Sequence, residues 1–131
     1  MKTLIVEDDP ISLMIMEKLM TEFGPVEIAE NGRIGYEKFA NAFRAHDPFH
    51  LILLDIMLPF HDGQEVLSRL RALERAAGTY AGQGVKVIMT TALSDKEHIM
   101  RAFRENCDAY LVKPIMRSKL VEQLRELKLI D

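Results

Sequence analysis

The sequence predicts an α/β fold, a doubly wound five-stranded parallel sheet with helices on both faces. Two observations carry this expectation. Short apolar runs alternate along the chain with longer stretches of helical period. The central runs are continuous rather than alternating, as in parallel strands buried on both sides. With 131 residues, 48% of them hydrophobic and 28% charged, the chain suits one domain over 1–131 and is too apolar for a disordered segment.

The predicted strands are Leu4-Ile5-Val6, Val26-Glu27-Ile28, Leu51-Ile52-Leu53-Leu54, Val85-Lys86-Val87-Ile88-Met89 and Ala109-Tyr110-Leu111-Val112. Asp9-Pro10 supplies an N-cap and an N1 proline for the first helix, which Gly24-Pro25 ends. On that helix Ile15, Met16, Leu19, Met20 and Phe23 are expected to form the core face, leaving Ile11 and Met14 on the other side with Lys18 and Glu22. Ser94-Asp95-Lys96-Glu97 reads as a capping box for a helix patterned by Ile99, Met100 and Phe103. Leu120, Val121, Leu124 and Leu127 pattern the last helix. The connections 45–50 and 77–84 are long, the second glycine-rich, and both are expected to be surface insertions.

Composition excludes several function classes. Lys and Arg number 17 against 20 Asp and Glu, a net charge of -3, so no basic field marks a nucleic-acid partner. The most apolar stretch, Leu51 to Phe60, is interrupted by Asp55 and is too short to span a bilayer, so no membrane partner is expected. The single cysteine, Cys107, rules out an internal disulfide framework and points to a reduced, cytoplasmic setting. His46, His50, His61 and His98 lack metal-ligand spacing.

In an open parallel sheet, chemistry collects at the carboxyl ends of the strands. Those ends here carry Glu7-Asp8-Asp9, Asp55, Thr90-Thr91 and Lys113 followed by Pro114. Ionised carboxylates brought together repel and raise at least one pKa. A hard divalent cation such as Mg²⁺ removes the conflict, with Asp8, Asp55 and a backbone carbonyl just after Asp55 as ligands. Lys113 and a threonine hydroxyl would neutralise a phosphoryl group transferred to Asp55, which can act as nucleophile.

The segments Leu4-Ile5-Val6-Glu7-Asp8-Asp9, Leu53-Leu54-Asp55-Ile56-Met57-Leu58-Pro59 with Asp62-Gly63, Met89-Thr90-Thr91-Ala92 and Tyr110-Leu111-Val112-Lys113-Pro114 together resemble the receiver domain of response regulators, the CheY-like phosphoacceptor of two-component signalling. The resemblance covers essentially the whole chain. It implies a flavodoxin-like (βα)5 fold with strand order 2-1-3-4-5. It implies Asp55 as phosphoacceptor, Asp8 as direct metal ligand, Glu7 as a ligand through water and the Met57 carbonyl as the remaining protein ligand. Thr91 is implied as the phosphoryl-binding hydroxyl, because the small Ala92 follows it. Lys113 is implied as the phosphoryl-pairing lysine before a cis proline bond, and Tyr110 as the aromatic switch. Mg²⁺ is the implied cofactor, with Mn²⁺ as a substitute.

The implied function is a phosphorylation-controlled switch. Its donor would be a histidine kinase or a histidine phosphotransfer protein, and its surface would change to engage an output partner not named by the sequence. The chain would act as a monomer or as a phosphorylation-dependent dimer. Receivers dock their donors beside the acidic pocket, so Ile11 and Met14 are candidate docking residues. The chain would be no enzyme beyond its own phosphorylation and slow autodephosphorylation, since Met57 and Leu93 offer no group to orient a hydrolytic water. The alternative is a Mg²⁺-dependent aspartyl-phosphate phosphatase. Such enzymes usually carry a second acid two residues past the nucleophile, where this chain has Met57. A flavin-binding module rests on fold analogy alone and lacks a phosphate-binding loop after the first strand.

Overall fold

Five parallel strands form one sheet in the order β2-β1-β3-β4-β5 in the computed structural model, which describes residues 1–58, 62–80, 82–92, 100 and 107–131. The strands are β1 (Thr3–Val6), β2 (Val26–Ala29), β3 (Leu51–Asp55), β4 (Lys86–Thr91) and β5 (Ala109–Val112). Among the described residues the helices are α1 (Pro10–Met20), α2 (Gly32–Arg44), α3 (Gly63–Ala76) and α4 (Arg117–Glu126). The strand order reverses direction at β1, so the crevice between the ends of β1 and β3 is the switch point of the sheet.

Burial follows strand position. Every residue of β1 and β3 is buried, which is why these runs read as continuous apolar sequence. On β5 the buried and exposed residues alternate. One core layer joins Leu4, Ile52, Leu54, Val87 and Met89 to Phe39 of α2 and Leu67 and Leu70 of α3. The other joins Ile5, Leu53, Ile88 and Leu111 to Leu13 and Met16 of α1 and Leu120 and Leu124 of α4. No helix among the described residues is long and apolar enough to cross a membrane.

The first helix starts where the sequence places it. The Asp9 carboxylate accepts from the Ser12 amide at 3.1 Å and the Ser12 hydroxyl at 2.7 Å, and Pro10 occupies the first turn. Its core face differs from expectation. The buried stripe is Leu13, Met16 and Met20, spaced i, i+3, i+7, while Ile15 is 41% exposed. Leu19 and Phe23 are partly buried at the margin of the core. The α-helix also ends at Met20, and Thr21–Phe23 tighten into a 3₁₀ turn before Gly24. Gly24 has φ +136°, and a side chain there would strike the Met1 carbonyl.

The 45–50 connection is more than a surface insertion, whereas the described residues of 77–84 lie at the surface as expected. In 45–50, Phe49 is buried in the core, and Lys2 ties the loop down. The Lys2 amide donates to His50 Nδ1 at 2.9 Å, and its ammonium meets Asp47 at 3.1 Å. The 77–84 connection closes on α3 through Glu74, whose carboxylate accepts from the Val85 amide at 2.7 Å. The expected capping box at Ser94–Glu97, and with it Pro59, His61, Leu93, His98, Ile99 and Phe103, lies outside the described residues. Of that helical pattern only Met100 is described, and it is exposed.

A buried ion network stands at the end of the sheet away from Asp55. Arg71 of α3 donates to Glu74 at 2.8 Å, to the Val85 carbonyl at 2.8 Å and to Asp108 at 3.0 Å. Asp108 also accepts from the Val87 amide at 2.8 Å. The network stitches α3 to the feet of β4 and β5. Arg71→Met leaves two carboxylates without their shared cation and should cost about 3 kcal/mol, the penalty of breaking a buried pair from one side. Urea denaturation measures this, and a loss below about 1 kcal/mol, the range of exposed pairs, would contradict it.

Candidate functional site

The carboxyl ends of β1, β3 and β5 bring together Glu7, Asp8, Asp55 and Lys113. Asp55 ends β3 and is buried. Its Oδ1 accepts from the Met57 amide at 3.0 Å, and its Oδ2 accepts from the Lys113 ammonium at 3.1 Å. Lys113 also pairs with Glu7, which is fully buried. Glu7 in turn accepts from the Asp9 amide at 3.2 Å. Asp8 stands at the exposed rim.

Local sequence explains why these groups stay aimed. β1 and β3 are neighbours in the sheet, with Val6 beside Leu54, so Glu7 and Asp55 leave adjacent strands at the same level. The α3 N-terminus crosses directly behind Asp55. Gly63 donates to the Ile56 carbonyl at 2.9 Å, and a Cβ on Gly63 would collide with the Asp55 carbonyl. Asp62 caps that helix by accepting from the Glu65 amide at 2.8 Å. The Lys113 backbone amide donates to the Thr91 carbonyl at 2.7 Å, and Lys113 precedes a cis proline bond, as expected.

The electrostatics are unbalanced. Ligand oxygens of Glu7, Asp8 and Asp55 lie within 4.8 Å of one another. Burial pushes the Glu7 carboxyl above its ordinary range, and the adjacent Asp55 pushes it further, against the pull of Lys113. Partial desolvation, then Glu7, raises Asp8. Burial works to lower Lys113, yet its contacts with Glu7 and Asp55 outweigh that and hold it above its ordinary value. Asp9 goes the other way, lowered by the Ser12 hydroxyl, which fits a helix cap rather than a member of the pocket. The cluster offers hard oxygen donors with excess negative charge, which suits a divalent cation that keeps part of its water shell.

The remaining sequence candidates divide by sheet face. Thr91 is buried at the end of β4, paired in register with Val112. It follows Thr90, the register partner of Asp55, and so alternates to the Met89 side at the same carboxyl edge where Asp55 and Lys113 stand. Tyr110 lies on Thr91's face and is 40% exposed. Met57 is 64% exposed beside Asp55, and Ile11 and Met14 are exposed on α1. Leu93 lies outside the described residues. Cys107 is buried, and desolvation pushes its thiol up to about 12.

Sequence reasoning passed over Arg71, Glu74 and Asp108. Arg71 and Asp108 lie 37 residues apart, and no local spacing links them. Thr90, beside Thr91 at the same strand end, is the β4 partner of Asp55.

Comparison with known proteins places the chain in a family. The probable transcriptional regulatory protein SilR of Salmonella typhimurium is 37% identical over 128 residues, covering 97% of this chain and 50% of that protein. The transcriptional regulatory protein CusR of Escherichia coli K12 is 34% identical over 128 residues, covering 97% of this chain and 51% of that protein. The chain thus spans about half the length of these curated relatives. Among solved structures, a CheY-like receiver domain protein from Methanospirillum hungatei superposes with a TM-score of 0.80 at 31% identity, covering 97% of this chain and 93% of that one. The response regulator receiver domain model matches residues 3–125, and the chain belongs to that family.

Proposed function

We propose that the chain is a phosphorylation-controlled signalling switch that accepts a phosphoryl group on Asp55. The observation that carries this reading is the buried Asp55 carboxylate at a strand end, held by Lys113 and facing Glu7 and Asp8. An Asp55 oxygen attacks the phosphorus of a phosphohistidine on a histidine kinase or histidine phosphotransfer protein. The phosphorus–nitrogen bond breaks and the imidazole leaves. Asp8, Asp55 and the Met57 carbonyl would hold Mg²⁺, with Glu7 acting through water, and Mn²⁺ fits the same oxygens. When bound, the cation neutralises charge on the transferring group. Lys113 and Thr91 bind the phosphoryl oxygens.

Phosphorylation adds up to about two negative charges, and Thr91 and Tyr110 carry their effect to the outer face of β5 as a population shift. There the domain meets an output partner or a second copy of itself. The chain catalyses only its own phosphorylation and a slow loss of the group, which the apolar Met57 beside Asp55 supports. The same residue argues against a phosphatase, since it stands where a general acid would be needed. A single switch domain in a cytoplasmic setting fits the lone cysteine, which is buried and unpaired.

The donor docks on the exposed apolar residues beside the pocket. Ile11 is 65% and Met14 is 62% exposed on the helix that opens directly after the acidic run, and Met57 is comparably exposed. Apolar anchors ringed by polar residues are what a partner helix buries.

Asp55→Asn should abolish labelling by acetyl phosphate and Mg²⁺ with the fold retained. Intact mass and circular dichroism check this, and full labelling of the variant would refute the assignment. Ile11→Ala with Met14→Ala should slow transfer from the cognate kinase roughly tenfold, about 1.4 kcal/mol, while labelling by acetyl phosphate stays unchanged. Transfer at the wild-type rate would remove the docking residues from the proposal.

Metal and pH are linked through Glu7 and Asp8. Both carboxyls are raised in the folded state, so the fold binds more protons than the unfolded chain between the ordinary and raised values. Stability of the metal-free protein therefore falls as pH rises through that window. Mg²⁺ should raise the melting temperature at pH 7–8 and lose its effect as the two acids protonate. Melting scans across pH with Mg²⁺ or chelator would show this, and equal midpoints at pH 7.5 would contradict it.

A further inference from the structure

Thr90 carries a buried hydroxyl that the proposed mechanism leaves unused. The residue is 1% exposed, and among the described residues nothing hydrogen-bonds its Oγ1. A hydroxyl brings a donor and two lone pairs, and burying them unpaired is unfavourable. An aliphatic side chain would fill the same strand position without that penalty.

The register gives this hydroxyl a particular neighbour. Thr90 is the β4 partner of Asp55, and Leu111 is its partner on β5. Registered partners in a parallel sheet share a face, so the Thr90 side chain projects beside that of Asp55. Ile5, Leu53, Ile88 and Leu111 occupy the same face one step back along their strands, which places Glu7 and Lys113 there as well. Thr91 projects to the opposite face. The end of β4 thus presents one hydroxyl on each side of the sheet.

We infer that Thr90 is a positioning residue for Asp55, its hydroxyl donating to the Asp55 carboxyl oxygen from which Lys113 is drawn when the site is loaded. The inference rests on Asp55 being the phosphoacceptor. In the present structure Asp55 Oδ1 is satisfied by the Met57 amide and Oδ2 by Lys113. A phosphoryl group on Asp55 competes for that ammonium, and the oxygen Lys113 leaves, whether it bonds phosphorus or Mg²⁺, keeps a lone pair able to accept from a hydroxyl. Neighbouring strands lie about 4.8 Å apart, so a rotamer change at Thr90 brings Oγ1 within hydrogen-bond reach. Thr90 then serves the acceptor group while Thr91 serves the phosphoryl oxygens.

The test uses beryllofluoride with Mg²⁺ as the phosphoryl probe. Thr90→Val keeps the shape and removes the hydroxyl, and Thr90→Ser keeps the hydroxyl. Beryllofluoride affinity should fall about fivefold in Thr90→Val, the scale of one lost hydrogen bond, and return in Thr90→Ser. The ¹³Cγ resonance of Asp55 in the loaded state should shift in Thr90→Val alone. The melting temperature of metal-free Thr90→Val should equal or exceed that of wild type, which excludes damage to the fold. Wild-type affinity with an unshifted resonance in Thr90→Val would overturn the role of Thr90 while leaving Asp55 in place. If wild type binds the probe no better than Asp55→Asn, the acceptor reading falls and this inference falls with it.

Discussion

One ammonium shared between two buried carboxylates governs the site. Lys113 meets both Glu7 and Asp55, and those three residues come from strands spread across nearly the whole chain. A parallel sheet makes the meeting possible, because every strand ends at the same edge. The cost is also set there. Glu7 is wholly buried, and desolvation is the largest influence on its titration, so Lys113 neutralises the pair only in part. Gly63 behind Asp55, the cap at Asp62 and the buried flanks of β1 and β3 all serve to keep this incompletely balanced group from relaxing apart.

The opposite end of the sheet shows what a balanced arrangement of the same charges looks like. Arg71 also serves two carboxylates, but it offers a planar fork rather than a point charge. Glu74 and Asp108 each receive a backbone amide as well, from Val85 and Val87. That network joins one helix to two strands and leaves no excess of carboxylates over donors to be relieved by an ion. At the Asp55 end three carboxylates face one lysine. The contrast separates a group of charges that holds elements together from one left with an excess of carboxylates, which suits a cation.

Much of this was legible in the sequence because the signals are local. The continuous run Leu51–Leu54 ending in Asp55 states both burial and polarity in a few residues, and Asp9-Pro10 states a helix start. Four short motifs at strand ends then placed the acids and the lysine without any long-range information. What the sequence left obscure depends on distance or phase. The Arg71–Asp108 pair crosses 37 residues, with nothing in either segment naming the other. On α1 the expected core residues Met16 and Met20 are buried and Leu19 and Phe23 pack at the core margin, but Ile15, in a plausible row spaced by four with Leu19 and Phe23, turns outward while Leu13 turns in. Phe49 looked like loop sequence because its burial comes from tertiary closure by Lys2, not from any period.

Strand β4 emerges as the partition on which a switch of this design turns. Its last two residues follow one another along the strand and alternate across the sheet, Thr90 toward the Asp55 side and Thr91 toward the side that carries Tyr110. A change on the Asp55 face cannot reach Tyr110 through side-chain packing across the sheet, because the backbone ladder of β4 and β5 lies between. It has to travel around the strand end, where Lys113 donates its amide to the Thr91 carbonyl while its side chain holds Asp55. Lys113 therefore joins the Asp55 carboxylate to the backbone of Thr91. In the proposed phosphorylated state, drawing the Lys113 ammonium toward the phosphoryl group would pull on the shared strand end, beside the alternately exposed residues of β5.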